Sequence, residues 1–260
     1  HALRGIALEL ERLANHTGDL GALANDVGFL PTAAYCGRIR GDLLNMTALL
    51  CGNRFGRGLV RPGGVAWPVD EPRKAELRRR LDAADADLRS AVNLLWETPS
   101  VMARFEETGP LSAARCRELG VVGLPARAAG IDRDIRQDFP FGIYRFTHIP
   151  VACADGGDVF GRAYVRWIEI QRALDFIRAQ IPLLGADTGP AELPALRPHA
   201  LVVSLTEGWR GEICHLARTD DAGQLDFYKV IDPSFHNWTG LAVALRDQQI
   251  SDFPLCNKSF

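Results

Sequence analysis

The sequence predicts a mainly α-helical protein of the α+β class, with a small antiparallel sheet toward its C-terminal end. Apolar residues recur every three to four positions over residues 2–23, 71–96 and 158–181, which is the period of helices with one buried stripe. Between residues 201 and 231 the period changes to two, which is typical of strands. A proline-rich linker at 182–198 separates the two patterns.

The chain is predicted to begin with two helices joined by a tight turn. The first covers residues 2–23, and Glu9 and Arg12 lie on a face other than its apolar stripe, where they can pair at i, i+3. His16 and Asp19 share that face. Asparagine, glycine and proline residues then break the period, and a second helix follows from about residue 32 to 50, with a glycine directly behind its end as a cap.

The middle of the chain alternates between helices and glycine-rich segments. Residues 53–68 are rich in glycine and proline, which predicts a loop or short strand. A charged helix is predicted over 71–96, and shorter helices over 99–107 and 111–118. Residues 120–142 are rich in glycine, proline and arginine and are predicted to form an irregular, packed loop.

The strongest helical periodicity runs from Asp158, the predicted N-cap, to about residue 181. Arg162, Arg166 and Glu169 fall off its apolar stripe. The stripe is predicted to face the core and consists of Phe160, Tyr164, Trp167, Leu174, Ile177 and Ile181.

Three strands are predicted behind the linker. The first covers residues 201–206, and a hairpin over 212–219 and 224–231 turns at Asp220-Asp-Ala-Gly223.

Length and composition exclude several classes of protein. The 260 residues can bury one sizeable core or two small ones. A net charge of -2 gives no general attraction to nucleic acid, and no apolar run approaches the roughly 18 residues that span a bilayer. Six scattered cysteines without a CxxC pair favour reduced thiols in a cytoplasmic protein. The start at His1 and the end at Phe260 in mid-pattern predict a fragment of a longer chain.

Motifs for nucleotides and for zinc are absent from the sequence. No Gly-x-Gly-x-x-Gly follows a strand, and no phosphate-binding Gly-Lys-Ser/Thr loop occurs. No HExxH motif or cysteine–histidine cluster has zinc spacing.

Three motifs carry a family resemblance. Residues 8–65 give a helix, a turn, a second helix and a Gly/Arg-rich connection that ends in Arg61-Pro-Gly-Gly-Val65. Gly157-Asp-Val-Phe-x-Arg162 opens the long helix, and Glu207-x-x-Arg210-Gly211 introduces the hairpin. This order resembles the 49 kDa subunit of respiratory complex I and its relatives, the large subunits of membrane-bound nickel-iron hydrogenases. Matches extend over 8–65, 120–180 and 206–260.

The resemblance implies a fold and a domain. The fold would be a hydrogenase large-subunit-like helical body with the sheet near its C-terminus. Residues 1–260 would form one such domain, a fragment that lacks the N-terminal and extreme C-terminal parts of the parent subunit.

The resemblance also implies site residues at the first turn. Asp26 matches an aspartate of the quinone-site proton network, although aspartates in such Asn-Asp clusters are usually turn residues. A buried carboxylate beside an apolar cleft has a raised pKa, which suits proton delivery. His16 matches the family spacing for a cofactor-binding residue, while a structural, hydrogen-bonded imidazole is favoured for it.

Arg210 matches a family arginine that overhangs the metal centre in the hydrogenases. A permanently charged guanidinium suits the binding of a charged intermediate in a dry cleft. Glu207 of the same motif is the third implied catalytic residue, with a simple ion pair to Arg210 as its alternative role.

Three functions remain open at this stage. The preferred one is a redox subunit of a complex I-like NADH-quinone oxidoreductase that forms part of the quinone cleft and binds no metal. The second is the large subunit of a formate hydrogenlyase-type nickel-iron hydrogenase, whose two CxxC pairs would fall before His1 and at or just beyond Phe260. The third is a non-catalytic scaffold of such a complex.

The resemblance implies partners and cofactors as well. An iron-sulfur subunit, other peripheral-arm subunits and a membrane arm would surround the chain at the cytoplasmic face of the inner membrane. Quinone would be the substrate, and NAD(H) and the iron-sulfur clusters would sit on partner subunits. A nickel-iron centre is implied only by the hydrogenase alternative, and neither nucleic acid nor a direct membrane span is expected.

Overall fold

The computed structural model describes residues 1–185 and 190–260, so residues 186–189 of the predicted linker lie outside the described residues. A helical body carries a three-stranded antiparallel sheet near the C-terminus, which confirms the predicted class. The helices are α1 (Ala2–Asp26), α2 (Leu30–Cys51), α3 (Glu71–Trp96), α4 (Pro99–Phe105), α5 (Ala113–Leu119), α6 (Leu124–Ala128), α7 (Ile135–Asp138), α8 (Val159–Gln180), α9 (Pro233–Ala244) and α10 (Phe253–Ser259). The strands are β1 (Val60–Arg61), β2 (Gly64–Val65), β3 (Leu201–Gly208), β4 (Gly211–Thr219) and β5 (Leu225–Ile231).

The two long N-terminal helices form an antiparallel pair, as the sequence predicts. A short turn with Gly28 at φ 73° joins them, and Gly52 caps α2 at φ 75°. Both positions need the left-handed conformation that glycine adopts without a steric penalty. The pair packs closely because a Cβ on Gly21 of α1 would lie only 2.7 Å from Cys36 Cβ of α2.

The segment 120–142 is packed, but it is more regular than the predicted loop. It contains α6 and α7, and every residue of α6 is buried. Asp134 caps α7 by accepting a hydrogen bond from the backbone N–H of Arg136 at 2.9 Å. Helices this short give no clear period in a sequence, which is why the prediction missed them.

Helix α8 crosses the body and contacts α1, α6 and α10. Its predicted N-cap is confirmed, since Asp158 accepts a hydrogen bond from Gly161 N–H at 2.7 Å. The predicted stripe is buried only in its second half, at Leu174, Ile177 and Ile181.

In the first half of α8 the predicted stripe was wrong. Tyr164 is 40% exposed and Phe160 is half-buried, whereas Arg162 and Glu169 are each about 1% exposed. The charged side chains face the body because they find partners of opposite charge on other elements. Helical periodicity predicts only that the apolar face of a helix is buried, so it gives no sign that charged side chains will be buried in pairs.

The same holds for α1. Glu9, Arg12 and His16, which lie off the apolar stripe, are at most 1% exposed. The predicted Glu9–Arg12 pair is present at 3.1 Å. Helix α1 is therefore buried on its polar face as well as on its apolar face.

The sheet has the strand order β3-β4-β5, with both pairs antiparallel. Strand β3 is exposed at its start and buried at Glu207 and Gly208, so the inner end of the sheet inserts into the helical body. Gly208 pairs with Gly211, and the tight turn between them carries Trp209 and Arg210. The fold thus places Arg210 among the helices.

None of the helices found in residues 1–185 and 190–260 combines the length and the apolar character required to span a membrane.

Candidate functional site

A pocket of about 440 Å³ lies where α1, the β3–β4 turn, α9 and α10 meet. Helix α9 contributes residues at helical spacing, so they share one face. Its walls combine apolar and aromatic surface with several charged groups. The lining residues are Asp19, Ala22, Arg210, Ser234, Asn237, Trp238, Leu241, Asn257, Lys258 and Phe260.

Arg210 is the first of the sequence-predicted residues at this pocket. Its side chain is 34% exposed and its guanidinium makes only long contacts, 3.3 Å from Nη1 to the Phe260 carbonyl and 3.8 Å from Nη2 to Asp19 Oδ1. Most of its donor capacity therefore faces the pocket. An arginine in this position can bind a negatively charged or oxygen-rich ligand.

Asp26 reaches the pocket through a partner that the sequence analysis missed. Lys258 Nζ lies 2.7 Å from both carboxylate oxygens of Asp26. Lys258 lines the pocket and is 40% exposed, whereas the Asp26 side chain is 9% exposed beneath it. Asp26 and Arg210 therefore belong to one region, and the group that presents a proton to the pocket is the lysine.

Asp19, a second carboxylate of α1, lines the pocket and connects it to α8. Asp19 Oδ2 accepts a hydrogen bond from the fully buried Arg166 Nε of α8 at 3.1 Å. Arg166 also donates to the Ser259 carbonyl at 2.8 Å, and Arg162 Nε donates to the Ser259 hydroxyl at 2.9 Å. Helix α10, with Lys258, is thus anchored by two arginines of α8.

A cluster of buried ionisable side chains lies between α1, α6, α7, α8 and β3. We call it the buried ion cluster. Its members are Glu9, Arg12, His16, Arg127, Asp134, Arg136, Glu169 and Glu207. Each is at most 4% exposed, and opposite charges in a medium of low polarity must be paired and hydrogen-bonded to be tolerated there.

Glu207 belongs to this cluster and lies outside the pocket lining. Its Oε1 accepts a hydrogen bond from Arg127 Nη1 at 2.8 Å, and its Oε2 accepts one from the Ile135 N–H at 3.1 Å. The alternative role, an ion pair with Arg210, is not observed, since Glu207 pairs with Arg127. Burial raises the pKa of Glu207, although the charge of Arg127 opposes the shift.

Glu169 is the centre of the cluster. Its Oε1 lies 2.6 Å from Arg127 Nη2, and its Oε2 lies 2.7 Å from His16 Nε2 and 3.3 Å from Arg12 Nη1. Burial acts to raise the pKa of Glu169, but Arg127, the hydrogen bond from His16 and Arg12 together hold it well below the usual range. Glu169 is therefore a carboxylate at neutral pH.

His16 is a fully buried imidazole that also lies outside the pocket lining. Burial lowers its pKa, with Glu169 opposing the shift, so the ring is neutral and donates its Nε2–H to Glu169. Its Nδ1 has no hydrogen-bond partner among the described residues. This geometry matches the structural role favoured for His16, and a cofactor-binding role stays a prediction.

The neutral His16 predicts a loss of stability in mild acid. The pKa of the unfolded chain stays near 6.5 while that of the folded protein is lower, so below pH 6.5 the unfolded state takes up a proton that the folded state does not. Stability from His16 is complete above 6.5 and is lost as the pH falls toward the folded pKa. The slope is at most about 1.4 kcal/mol per pH unit.

The measurement is denaturant unfolding at about pH 7.5 and about pH 5.5. Wild type should lose more stability between these values than His16→Gln, whose amide can still donate to Glu169. His148→Gln, at an exposed histidine, serves as the matched control and should keep the wild-type loss. Equal losses in His16→Gln and wild type would show that His16 is not the titrating group.

Residues 1–185 and 190–260 do not form a metal centre by themselves. In the described parts of the chain, no three His, Cys, Asp or Glu side chains are grouped so that they could hold a metal ion. Cys256 is a buried free thiol, in line with the reduced thiols that the cysteine spacing favours, and burial raises its pKa. A nickel-iron centre needs thiolate ligands. The described residues by themselves do not fit one.

A larger groove of about 570 Å³ lies between α1, α2 and the segment around Tyr144. It contains none of the residues that the sequence singles out, namely His16, Asp26, Glu207 and Arg210. The smaller pocket is therefore the candidate site.

The sequence matches a family model described as the 49 kDa subunit of respiratory-chain NADH dehydrogenase over residues 26–195. A relative from Rhodospirillum rubrum named carbon monoxide-induced hydrogenase is 31% identical over 97% of this chain and 70% of its own length. The chain belongs to the complex I 49 kDa subunit family.

Two further relatives in this family carry different names. NADH-quinone oxidoreductase subunit 4 of Thermus thermophilus is 28% identical over 96% of this chain and 68% of its own length. Formate hydrogenlyase subunit 5 of Escherichia coli is 29% identical over 97% of this chain but only 44% of its own length. The predicted resemblance to both the complex I and the hydrogenase branches is confirmed, and the 49 kDa family comprises subunits of oxidoreductase complexes.

Proposed function

We propose that this 49 kDa family chain is the redox subunit of a complex I-like quinone oxidoreductase and that the pocket is part of its quinone-reduction cleft. The observation that carries the proposal is that Arg210 and Lys258 line the same pocket of about 440 Å³ as Trp238 and Phe260. A pocket of this size that combines aromatic and apolar surface with polar groups can bind a small aromatic ligand such as a quinone ring.

Arg210 would bind and polarise a quinone oxygen. Reduction places negative charge on the two ring oxygens before protons arrive. A guanidinium that is already in place stabilises such charge more strongly in a partly buried pocket than in water. Its long contacts to Asp19 and Phe260 leave donors available for this purpose.

Lys258 and Asp26 would supply a proton. A quinone takes up two electrons and two protons in becoming a quinol. The Lys258 ammonium lines the pocket and can donate one proton to a reduced oxygen, while Asp26 holds the ammonium in place at 2.7 Å. The second proton, and the proton that recharges Lys258, would come from solvent, to which Lys258 is 40% exposed. Asp26 then acts through Lys258.

The two electrons would come from an iron-sulfur cluster on a partner subunit. NAD(H) would bind to another subunit, because no nucleotide motif occurs in this sequence. We propose further that residues 1–260 form one domain and that other peripheral-arm subunits and a membrane arm hold it at the cytoplasmic face of the inner membrane. The membership in a family of subunits of multi-subunit complexes supports these assignments.

A hydrogenase large subunit is the second candidate function, because the relative from Rhodospirillum rubrum is named a hydrogenase. A non-catalytic scaffold is the third. Metal analysis of the full-length subunit, purified with its partners, separates the first two. Nickel near one atom per subunit would replace the quinone proposal by the hydrogenase one.

Asp26→Asn tests the proposed function directly. The neutral amide leaves Lys258 without its counter-charge, so we expect the rate of decylubiquinone reduction by the assembled complex to fall at least about tenfold, since one proton-transferring group contributes about 10²–10⁴-fold. Asp42→Asn is the control, because Asp42 is an exposed aspartate of α2 that pairs with Arg38. An assembled Asp26→Asn complex with wild-type turnover would contradict the proton role and favour the scaffold.

A further inference from the structure

The turn that carries Arg210 rests against the start of α6 through a contact between two glycines. Gly123 is the N-cap of α6 with φ 66°, and a Cβ on it would overlap Gly211 Cα and the carbonyl oxygen of Arg210. In the other direction, a Cβ on Gly211 would lie 2.8 Å from Gly123 Cα. The backbone of the turn can approach α6 this closely only because both residues lack a side chain.

Polar contacts from the buried ion cluster hold the same turn. Arg12 donates from Nη2 to the Glu207 carbonyl at 2.6 Å and from Nη1 to the Gly208 carbonyl at 3.0 Å. The Glu207 carboxylate is fixed in addition by Arg127 and by the Ile135 N–H. The strand end that leads into the turn is therefore anchored at its carbonyls and at its carboxylate.

The Arg210 guanidinium makes two long contacts of its own. Its contacts to Phe260 and Asp19 are 3.3 and 3.8 Å long, at or beyond the usual limits of a hydrogen bond. The place of the guanidinium in the pocket is set mainly by the backbone that carries it. A shift of the turn by about 1 Å would move the guanidinium with it, and misplacement on this scale can reduce a reaction rate by about 10²-fold.

We infer that Gly123 and Gly211, together with the Arg12–Glu207 contacts, are positioning residues for Arg210. The contact between the two glycines allows the β3–β4 turn to pack against α6. The turn then places the Arg210 guanidinium where a negatively charged oxygen of the ligand would bind. This inference rests on the proposed function of the pocket, and it assigns Glu207 to positioning instead of to contact with the substrate.

Gly123→Ala tests the inference, and Gly120→Ala is the control for a methyl group at a glycine with positive φ. Gly120 has φ 67°, nearly the same as Gly123, but a Cβ on it meets no atom of the described residues within 4 Å. Both substitutions place a side chain on backbone with positive φ, but Gly120 has ψ 32°, in the left-handed helical region, whereas Gly123 has ψ -141°, in a region that is essentially restricted to glycine. Gly120→Ala therefore controls for the positive φ, and the double-mutant cycle with Arg210→Ala separates the added backbone strain at position 123 from an effect that acts through Arg210. Only the substitution at position 123 pushes the turn away.

The experiment uses the assembled complex and two readouts. The first is amide hydrogen exchange of residues 206–212, which should become faster in Gly123→Ala and stay at the wild-type rate in Gly120→Ala. The second is kcat/KM for decylubiquinone in a double-mutant cycle with Arg210→Ala. Gly123→Ala alone should lower it by about 10²-fold, and by less than about twofold when Arg210 is already alanine.

Two outcomes overturn the inference. One is unchanged hydrogen exchange at 206–212 in Gly123→Ala, and the other is a loss of kcat/KM that is equally large with and without Arg210. Failure of the proposed function is distinguishable, because Arg210→Ala alone would then leave turnover unchanged while the exchange readout still reports on the turn. If Gly123→Ala assembles poorly, Gly211→Ala makes the same test with a milder clash.

Discussion

Replacement of Arg210 by alanine is expected to lower kcat for quinone reduction by the assembled complex about 10²–10³-fold, the effect of removing one preorganised donor to a developing oxyanion. The reason is geometric. Arg210 lines the pocket with donors that are not engaged by short contacts, so it can stabilise charge that appears on the ligand. KM should change less than kcat, because the interaction strengthens as negative charge develops.

Arg218→Ala is the matched control for this prediction. Arg218 lies on β4 of the same sheet, is exposed and pairs with Asp226 at 2.9 Å, far along the strand from the turn. Its loss should leave kcat and KM at the wild-type values. Arg210→Lys should recover only part of the activity, since one ammonium cannot reproduce a planar fork of donors. Wild-type turnover in an intact Arg210→Ala complex would remove the basis of the proposed cleft.

Arg127→Met is expected to destabilise the fold by about 3–5 kcal/mol, the usual effect of removing one partner from a buried ion pair. Arg127 is fully buried and lies 2.6 Å from Glu169 and 2.8 Å from Glu207. Without it these two carboxylates lose their shared counter-charge. The loss is a large part of the stability of a typical domain, about 5–15 kcal/mol.

Denaturant unfolding of the variant and wild type measures this loss. Removal of Arg127 takes away the charge that lowers the pKa of Glu169 and opposes the raised pKa of Glu207, so both folded pKa values should move upward in the variant. The destabilisation should then shrink as the pH is lowered from about 8 to about 5, because a carboxylate with a raised folded pKa takes up a proton in the folded state and regains stability. Arg79→Met removes an exposed guanidinium that pairs with Glu76 on α3 and should leave the unfolding midpoint unchanged. Equal unfolding midpoints for Arg127→Met and wild type would mean that the ion pairs of Arg127 make no net contribution to the free energy of unfolding.

Local sequence patterns predicted much of the fold. The bounds of α3 agree with the prediction at both ends, and Gly52 caps α2 as expected, because helical period and capping glycines are properties of neighbouring residues. The three strands and the β4–β5 hairpin followed from alternation and turn residues. The short helices α6 and α7 were missed because four or five residues give no period.

The candidate site was predictable only in part. The motif spacing singled out Asp26 and Arg210, and the fold brings Arg210 and Lys258, the partner of Asp26, to one pocket. Lys258 itself has no local signal, since it is one lysine in a short helix 232 residues away from Asp26. Gly123 likewise looks like any turn glycine until the turn at Arg210 is placed against it.

The sequence by itself determined the class of fold, the order of its elements and the family. Helical period, strand alternation and motif spacing depend only on residues that are close together in the chain. Only the tertiary structure decided which charges are buried and what each one pairs with. Arg127 meets Glu169 across 42 residues and Glu207 across 80. A buried charge is tolerated only with such partners, and the chain brings them together through the packing of α1, α6 and α8 around the inserted end of β3.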